Sequence, residues 1–176
     1  MPKRIAIVIG KPYHTINRPQ LQGILEECYR LGYSANVFTI NEEFYDTDVL
    51  LQERGILNAL HPGELDGLIY LTYSLTKEET RPAVNAYLQA HFNKPIVMIG
   101  AVAEPFPNVW FDDAAQFERI VTHLIEEHGC RDILCLTGFA QYQPSLNRAA
   151  GWRSALQKAG LPAPEERLVY GDFWIA

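Results

Sequence analysis

The residues Ile5-Ala6-Ile7-Val8-Ile9, followed by Gly10, decide the fold class of this chain. The run is apolar at every position, whereas a strand with one face in water alternates apolar and polar residues. Further apolar strands are predicted within residues 65–71 and over residues 95–100. We therefore predict an α/β fold in which residues 1 to about 105 form a parallel sheet with helices on both faces.

Helical patterns separate the predicted strands. The predicted helices cover residues 19–31, 46–60 and about 80–91, and a further strand covers residues 35–40. Asn17 is a candidate N-cap for the first helix. The third helix has two candidate starts, because both Thr76 and Thr80 lie at positions with capping signals.

Residues 109–176 repeat the alternation on a smaller scale. The predicted elements are a strand at 109–111, a helix at 114–128, a strand from 133, a helix from 145 and a strand at 168–170. Four strand-helix alternations already complete a layer of about 100 residues. We therefore divide the chain into a complete first lobe, residues 1–108, and a crossover with a partial second lobe, residues 109–176. The terminal apolar residues Phe173, Trp174 and Ile175 lack the cover of a finished domain, so we expect self-association or instability.

The charge balance argues against direct nucleic-acid binding. The 176 residues carry a formal net charge of -6, and no basic cluster occurs beyond Lys3-Arg4. The chain therefore lacks the basic surface that phosphate backbones require, and any contact with DNA is expected through a domain absent from this chain. No signal-peptide pattern and no apolar run of membrane-spanning length occurs, so we predict a cytoplasmic protein that does not bind membranes.

The sequence contains no recognisable motif for catalysis, metal binding or nucleotide binding. Cys28, Cys130 and Cys135 form no CxxC pair, so we predict buried free thiols. His123 and His128 are five residues apart, which places them off a common helical face, so we predict surface histidines and no metal site. The Gly-rich phosphate loop and the nucleophile-base pair are both missing, so we predict no cofactor and no enzymatic activity.

Polar and aromatic residues follow the first and third predicted strands. Tyr13, His14 and Asn17 lie between the first strand and the first helix, and Tyr73 follows the third strand. The carboxyl ends of parallel strands meet at one edge of the sheet, which is where ligands bind in open α/β folds. We therefore predict that these four residues bind a ligand. For His14 the alternative is a solvated loop position.

Arg148 and the pair Asp112-Asp113 are the candidates in the second lobe. Arg148 lies in the first turn of the helix predicted from Ser145, where its guanidinium can donate to hydroxyls or to a carboxylate. An ordinary surface arginine is the alternative. Adjacent residues of an extended segment point in opposite directions, so one aspartate accepts from the ligand and the other is solvated or caps the next helix. We place Asp112 in the candidate site.

Taken in order, these features resemble the effector-binding domain of the LacI/GalR-type transcription regulators, which is itself similar to periplasmic sugar-binding proteins. The matching stretches are residues 3–33, Leu65-Asp66-Gly67-Leu68-Ile69, Pro95-Ile96-Val97 with residues 109–113, residues 123–138, Arg148 with Gly151-Trp152, and Gly171-Asp172-Phe173. Cys130 stands where the family usually has histidine. Each stretch is short, and their common order and spacing carry the resemblance.

The resemblance implies a two-lobed, periplasmic-binding-protein-like fold that closes on a small effector, commonly a sugar, and a homodimer. It places Arg148 at the position that grips ligand hydroxyls between the lobes. By the same resemblance, one of Asp112 and Asp113 lies at the hinge side of the pocket, and the ring of Phe173 stacks on the ligand. The sequence shows neither the family's helix-turn-helix nor the rest of the second lobe.

Two classes of function remain open at the sequence level. The first is a sensor whose ligand shifts the lobes between open and closed states, and whose output is transcription or another module such as an AraC-type or GGDEF domain. The second is a small flavodoxin-like enzyme that uses the loop after the first strand and the residues around Tyr73. The missing phosphate loop and nucleophile-base pair favour the sensor. The missing signal peptide disfavours a periplasmic binding protein.

Overall fold

The computed structural model describes residues 2–42, 54–77, 79–100, 105–140 and 142–171. The chain divides into two compact units, Met1–Trp110 and Phe111–Ala176, whereas the sequence placed the boundary after residue 108. Most of the predicted second helix, residues 46–60, lies outside the described residues. Its described part, Arg54–Ala59, is a 3-10 helix.

The described residues of the first unit form a parallel sheet of five strands. The strands are β1 (Arg4–Gly10), β2 (Ser34–Ile40), β3 (Gly67–Leu71), β4 (Ile96–Ile99) and β5 (Asn108–Val109). They lie in the order β2-β1-β3-β4-β5, and all four pairs are parallel. The predicted parallel sheet is confirmed. The reason also holds, since Ala6, Ile7, Val8 and Ile9 are completely buried, as in a strand covered on both faces.

Helices cover both faces of this sheet. They are α1 (Asn17–Arg30) and α2 (Thr80–His91). Successive side chains of a strand point to opposite faces. On one face, Ile7 of β1 belongs to the cluster against which Leu21 of α1 packs. On the other face, Val8 shares a core with Val84 of α2, so the prediction of helices on both faces is confirmed.

The starts of both helices differ in detail from the sequence prediction. Asn17 is the first residue of α1 and not its N-cap, and Ile16 at the cap position makes no side-chain capping bond. The amide of Asn17 bonds to the preceding loop instead. Helix α2 begins at Thr80, the later of the two predicted starts. Thr76 forms no capping box, because its backbone N–H and its hydroxyl both bond to Glu42.

In its described residues, the second unit comprises two long helices and a pair of parallel strands. The elements are α3 (Asp113–Glu126), β6 (Cys135–Thr137), α4 (Gln143–Lys158) and β7 (Leu168–Tyr170). Trp152 of α4 is completely buried, and its indole N–H donates to the Ile133 carbonyl at 3.1 Å. Val121 of α3 and Leu156 of α4 belong to the same core, so the two helices pack their apolar faces against each other.

Helices α3 and α4 approach closely at Gly151. A Cβ atom at this position would lie 2.3 Å from the carbonyl oxygen of Ala114, far inside van der Waals contact. Only glycine therefore permits the approach, since a close-packed interior transmits such a clash into a backbone shift. The contact sets the start of α3 against the middle of α4, and it thereby brings Asp113 beside Arg148.

Candidate functional site

The strand order of the first unit indicates which edge of its sheet is the candidate ligand edge. In a sheet of order 2-1-3-4-5, the chain changes direction across the sheet between β1 and β3, and ligands bind outside the carboxyl ends of those two strands. The loop that contains Tyr13, His14 and Asn17 leaves the carboxyl end of β1. The single 3-10 turn Thr72–Ser74, which contains Tyr73, leaves the carboxyl end of β3. The structure thus places the four predicted residues at one edge of the sheet.

Ser74 joins the ends of these two strands. Its hydroxyl oxygen accepts from the backbone N–H of Gly10 at 2.7 Å and donates to the carbonyl of Leu71. A Cβ atom on Gly10 would lie 2.5 Å from the carbonyl oxygen of Ser74, so the two chain segments are in direct contact. Ser74 is not among the residues predicted from the sequence to form the site. The relevant signal was a small hydroxyl residue and a glycine at the ends of two adjacent strands.

The side chain of Asn17 bonds to the backbone of the loop after β1. Its side-chain amide donates to the carbonyls of Gly10 and Lys11, both at 3.1 Å, and the residue is only 4% exposed. Lys11 has a φ of 47°, a left-handed conformation that non-glycine residues rarely adopt. The amide of Asn17 holds the backbone on both sides of this turn. A direct bond from Asn17 to a ligand remains a prediction.

Tyr13 and His14 occupy the outer part of the same loop. Tyr13 is 92% exposed, so its whole ring is available to a ligand. His14 is half-buried, and its Nδ1 accepts a long hydrogen bond of 3.4 Å from the backbone N–H of Ile16. The contact is longer than an ordinary hydrogen bond, so it orients the imidazole only weakly. Ligand contact by either residue remains a prediction.

Tyr73 lies against the end of β4. A Cβ atom on Gly100 would be 2.0 Å from Cδ1 of the Tyr73 ring, and Gly100 has a φ of 97°, which disfavours any residue with a side chain. The hydroxyl of Thr72 donates to the carbonyl of Ile99 at 3.1 Å and fixes the turn from which the ring projects. The ring is therefore held in one position by the backbone on which it rests.

Glu42 is a buried carboxylate that the sequence analysis missed. It follows β2 and is 1% exposed. Its Oε2 accepts from the backbone N–H of Thr76 at 2.6 Å, and its Oε1 accepts from the backbone N–H of Lys77 at 3.2 Å. Hydrogen bonds to an ionised acceptor are stronger than neutral ones. Glu42 therefore links the end of β2 to the loop after β3, beside the candidate ligand edge.

Arg148 pairs with Asp113 in the second unit. The Nε of Arg148 donates to Oδ1 of Asp113 at 3.1 Å, with 36% of the arginine side chain and 24% of the aspartate side chain exposed. Because α4 begins at Gln143, Arg148 lies in its second turn, and the predicted first-turn position was wrong. Asp113 occupies the first turn of α3, where the helix dipole favours a negative charge.

Asp112 caps α3. Its Oδ1 accepts from the backbone N–H of Ala115 at 2.9 Å, which satisfies one of the unpaired donors at the start of a helix. The predicted capping role falls on Asp112, the aspartate that the sequence placed in the ligand site, and Asp113 contacts Arg148. A ligand contact by Asp112 remains a prediction. Phe173, also predicted to contact the ligand, lies outside the described residues.

The three cysteines are free thiols that differ in burial. Cys28 and Cys135 are buried, as predicted, whereas Cys130 is half-buried, so the prediction of burial was wrong for Cys130. Burial raises the pKa of the Cys28 and Cys135 thiols, with the nearby Arg153 opposing part of the effect on Cys135. In the described part of the chain, no three histidine, cysteine or carboxylate side chains are grouped as metal ligands. None of the described helices is long and apolar enough to cross a bilayer.

The family model described as periplasmic binding proteins and the sugar-binding domain of the LacI family matches residues 13–172. The chain belongs to this family. The resemblance predicted from the sequence is therefore confirmed, and so is the periplasmic-binding-protein-like fold. The parallel sheet of this LacI-family chain and its helices on both faces are those of the family's ligand-binding domain.

Known relatives of the LacI-family chain are transcription regulators. The HTH-type transcriptional repressor PurR of Vibrio parahaemolyticus is 25% identical over 154 residues, which cover 87% of this chain and 43% of the repressor. A sugar-binding LacI-family regulator from Escherichia coli, complexed with phosphate, gives a TM-score of 0.69 at 20% identity and covers 97% of this chain and 58% of that one. The lac repressor dimer bound to operator and the anti-inducer ONPF gives a TM-score of 0.71 at 18% identity, over 98% and 56% of the two chains. The chain thus spans less than half the length of the PurR relative.

Proposed function

We propose that this chain senses a small polar effector, of carbohydrate class, for a LacI-type transcription regulator. The observation that carries the proposal is the Arg148–Asp113 pair. The carboxylate fixes the guanidinium through Nε, and within the described residues the other N–H groups of Arg148 have no hydrogen-bond partner. A guanidinium held in this way presents a planar set of donors, which suits hydroxyl or carboxylate groups of a ligand.

The ligand edge of the first unit supplies aromatic and polar groups of the kind that line small-molecule sites. The ring of Tyr13 is exposed, and the ring of Tyr73 is held on Gly100. Neither Ser74 nor Glu42 needs to touch the ligand, because both are occupied in fixing the backbone. We infer that His14, Asn17, Asp112 and Phe173 complete the ligand contacts, as the family resemblance implies.

The proposed output is control of transcription through a DNA-binding domain that is not in this chain. The net charge of -6 makes direct DNA contact by these residues unfavourable. The name of the PurR relative specifies an HTH-type repressor, and the lac repressor structure is a dimer on its operator. We infer the same arrangement here: a cytoplasmic homodimer without enzymatic activity. The effector can shift the equilibrium between the open and closed conformations by no more than the difference in its binding free energy to the two.

A ligand panel on the purified protein tests the proposal. Monosaccharides and disaccharides form one arm, and purine bases form a second arm. Thermal unfolding is followed with each compound, because a ligand at a hundred times its Kd stabilises the native state by about 2.7 kcal/mol. Stabilisation by sugars supports the proposal. Stabilisation by purines alone would contradict a carbohydrate effector. If neither sugars nor purines stabilise the protein at millimolar concentration, this chain does not sense such an effector by itself.

A further inference from the structure

His123 and His128 are brought together at the end of α3. Their Nε2 atoms are 3.2 Å apart, and the rings meet edge to face with 4.9 Å between centroids. Residues five apart lie off a common face only while both belong to one helix. Here α3 ends at Glu126, so His128 lies beyond the helix and is free of that geometry.

The turn that follows α3 explains the return of His128. Gly129 has a φ of 66°, and the N–H of Cys130 donates to the carbonyl of Leu124 at 3.0 Å. A left-handed glycine commonly ends a helix, and here the bond to Leu124 closes a turn one residue wider than the Schellman motif. It reverses the chain directly after the last turn, and the imidazole of His128 thereby lies beside that of His123.

The separation of the two nitrogens matches two ligands on one metal ion. With metal–nitrogen bonds of about 2.0 to 2.1 Å, cis ligands lie about 2.9 Å apart in a square-planar site and about 3.3 Å apart in a tetrahedral site. The observed 3.2 Å lies between these values. In the metal-free protein one imidazole donates to the other, so both rings must rotate to aim a lone pair at a shared ion.

We propose that His123 and His128 form a binding site for a divalent transition-metal ion of the copper, nickel and zinc group. These ions favour imidazole, whereas calcium and magnesium require oxygen ligands. A surface groove of about 330 Å³ adjoins His123 and is lined by Glu118, Arg119, Thr122, Glu126 and Glu127. Glu118 is paired with Lys158, so Glu126 and Glu127 are the carboxylates that favour a cation beside His123, against the single Arg119.

The site has two protein ligands, because no third histidine, cysteine or carboxylate completes a group in the described residues. Water fills the remaining positions, and the affinity order follows the intrinsic one, with copper bound more tightly than nickel or zinc. Bound metal replaces the hydrogen bond between the rings and ties the turn after α3 to the last turn of that helix. This site is independent of the proposed effector.

Calorimetric titration of the metal-free protein with copper(II) chloride and with zinc chloride tests the proposal. We expect one ion per chain, tighter binding of copper, and no binding in a calcium chloride control. His123→Ala and His128→Ala should each weaken copper binding by about tenfold or more, since even groups that only orient a ligand are worth 10- to 100-fold. Both side chains are exposed, so the variants should keep the fold, which circular dichroism verifies.

His91→Ala is the matched control. His91 lies in the last turn of α2, next to the Tyr87 ring, and should not affect copper binding. Electron paramagnetic resonance of the copper complex should show coupling to two nitrogens in the wild-type protein and to one in either variant. Equal copper affinity of wild type and the double variant would overturn the proposal, as would an effect confined to one of the two histidines.

Discussion

Ser74 and Gly10 are 64 residues apart in the sequence, and a 2.7 Å hydrogen bond joins the serine hydroxyl to the glycine N–H. The same hydroxyl donates to Leu71, so one buried side chain satisfies a backbone group at the end of each central strand. The loop that contains Tyr13 and the turn that contains Tyr73 therefore start from positions fixed relative to each other. The ligand edge of the first unit depends on this bond.

Ser74→Ala should destabilise the first unit. The substitution leaves the buried N–H of Gly10 without its acceptor, which costs about 1 to 3 kcal/mol in the free energy of unfolding. Urea unfolding followed by circular dichroism measures the loss. Ser34→Ala is the control, because Ser34 is exposed at the start of β2 and should change stability by less than about 0.5 kcal/mol. Equal effects of the two substitutions would contradict the role of Ser74.

Two glycine substitutions should act in opposite directions. Gly100→Ala forces a side chain onto a left-handed backbone and into the Tyr73 ring, so we expect a loss of about 1 to 3 kcal/mol in unfolding free energy. Gly23→Ala adds a methyl group to α1 where no atom lies within 4 Å, so we expect a gain of roughly 0.5 to 1 kcal/mol. Thermal unfolding of both variants checks the signs. A gain at Gly100 would show that the ring of Tyr73 is not held there.

The three thiols should differ in reactivity. Burial raises the pKa of Cys28 and Cys135, so less of the nucleophilic thiolate is present at a given pH, and both sulfurs are also shielded from reagent. Cys130 is half-buried and should react first with a disulfide reagent such as Ellman's reagent, with the other two released in urea. Loss of the fast phase in Cys28→Ser or Cys135→Ser, but not in Cys130→Ser, would contradict this order.

The sheet was predictable because its signal is local and repeated. A strand buried on both faces must be apolar at every position, and Ile5 to Ile9 satisfies this condition without reference to any other part of the chain. The ends of the helices were less predictable. Asn17 can bond either to the N–H groups of its own helix or to loop carbonyls, and only the position of Gly10 and Lys11 in space decides between them.

Contacts between distant residues account for the rest of what the sequence missed. Glu42 and Ser74 each bond to a backbone N–H that is distant in the sequence. The sequence does not show these bonds, because only the packing of the strands brings the partners together. The pairing of Arg148 with Asp113 depends on the close approach of two helices at Gly151. His123 and His128 were predicted to lie apart because residues five apart in a helix lie on different faces. The helix ends at Glu126, so this geometry does not hold for His128.

Arg148→Ala should weaken effector binding while the fold is retained. A hydrogen bond to a charged group in a partly desolvated site contributes roughly 1.5 to 3 kcal/mol, which corresponds to a loss of affinity on the order of tenfold to a hundredfold. Arg153→Ala is the matched control: Arg153 lies on the same helix, but its guanidinium pairs with Glu165 at 2.8 Å. Calorimetry with the effector found in the ligand panel compares both variants with the wild type. Asp113→Asn should fall between them, because it weakens the hold on Nε and leaves the guanidinium in place. Equal affinities for wild type and Arg148→Ala would remove Arg148 from the site and, with it, the observation on which the proposed function rests.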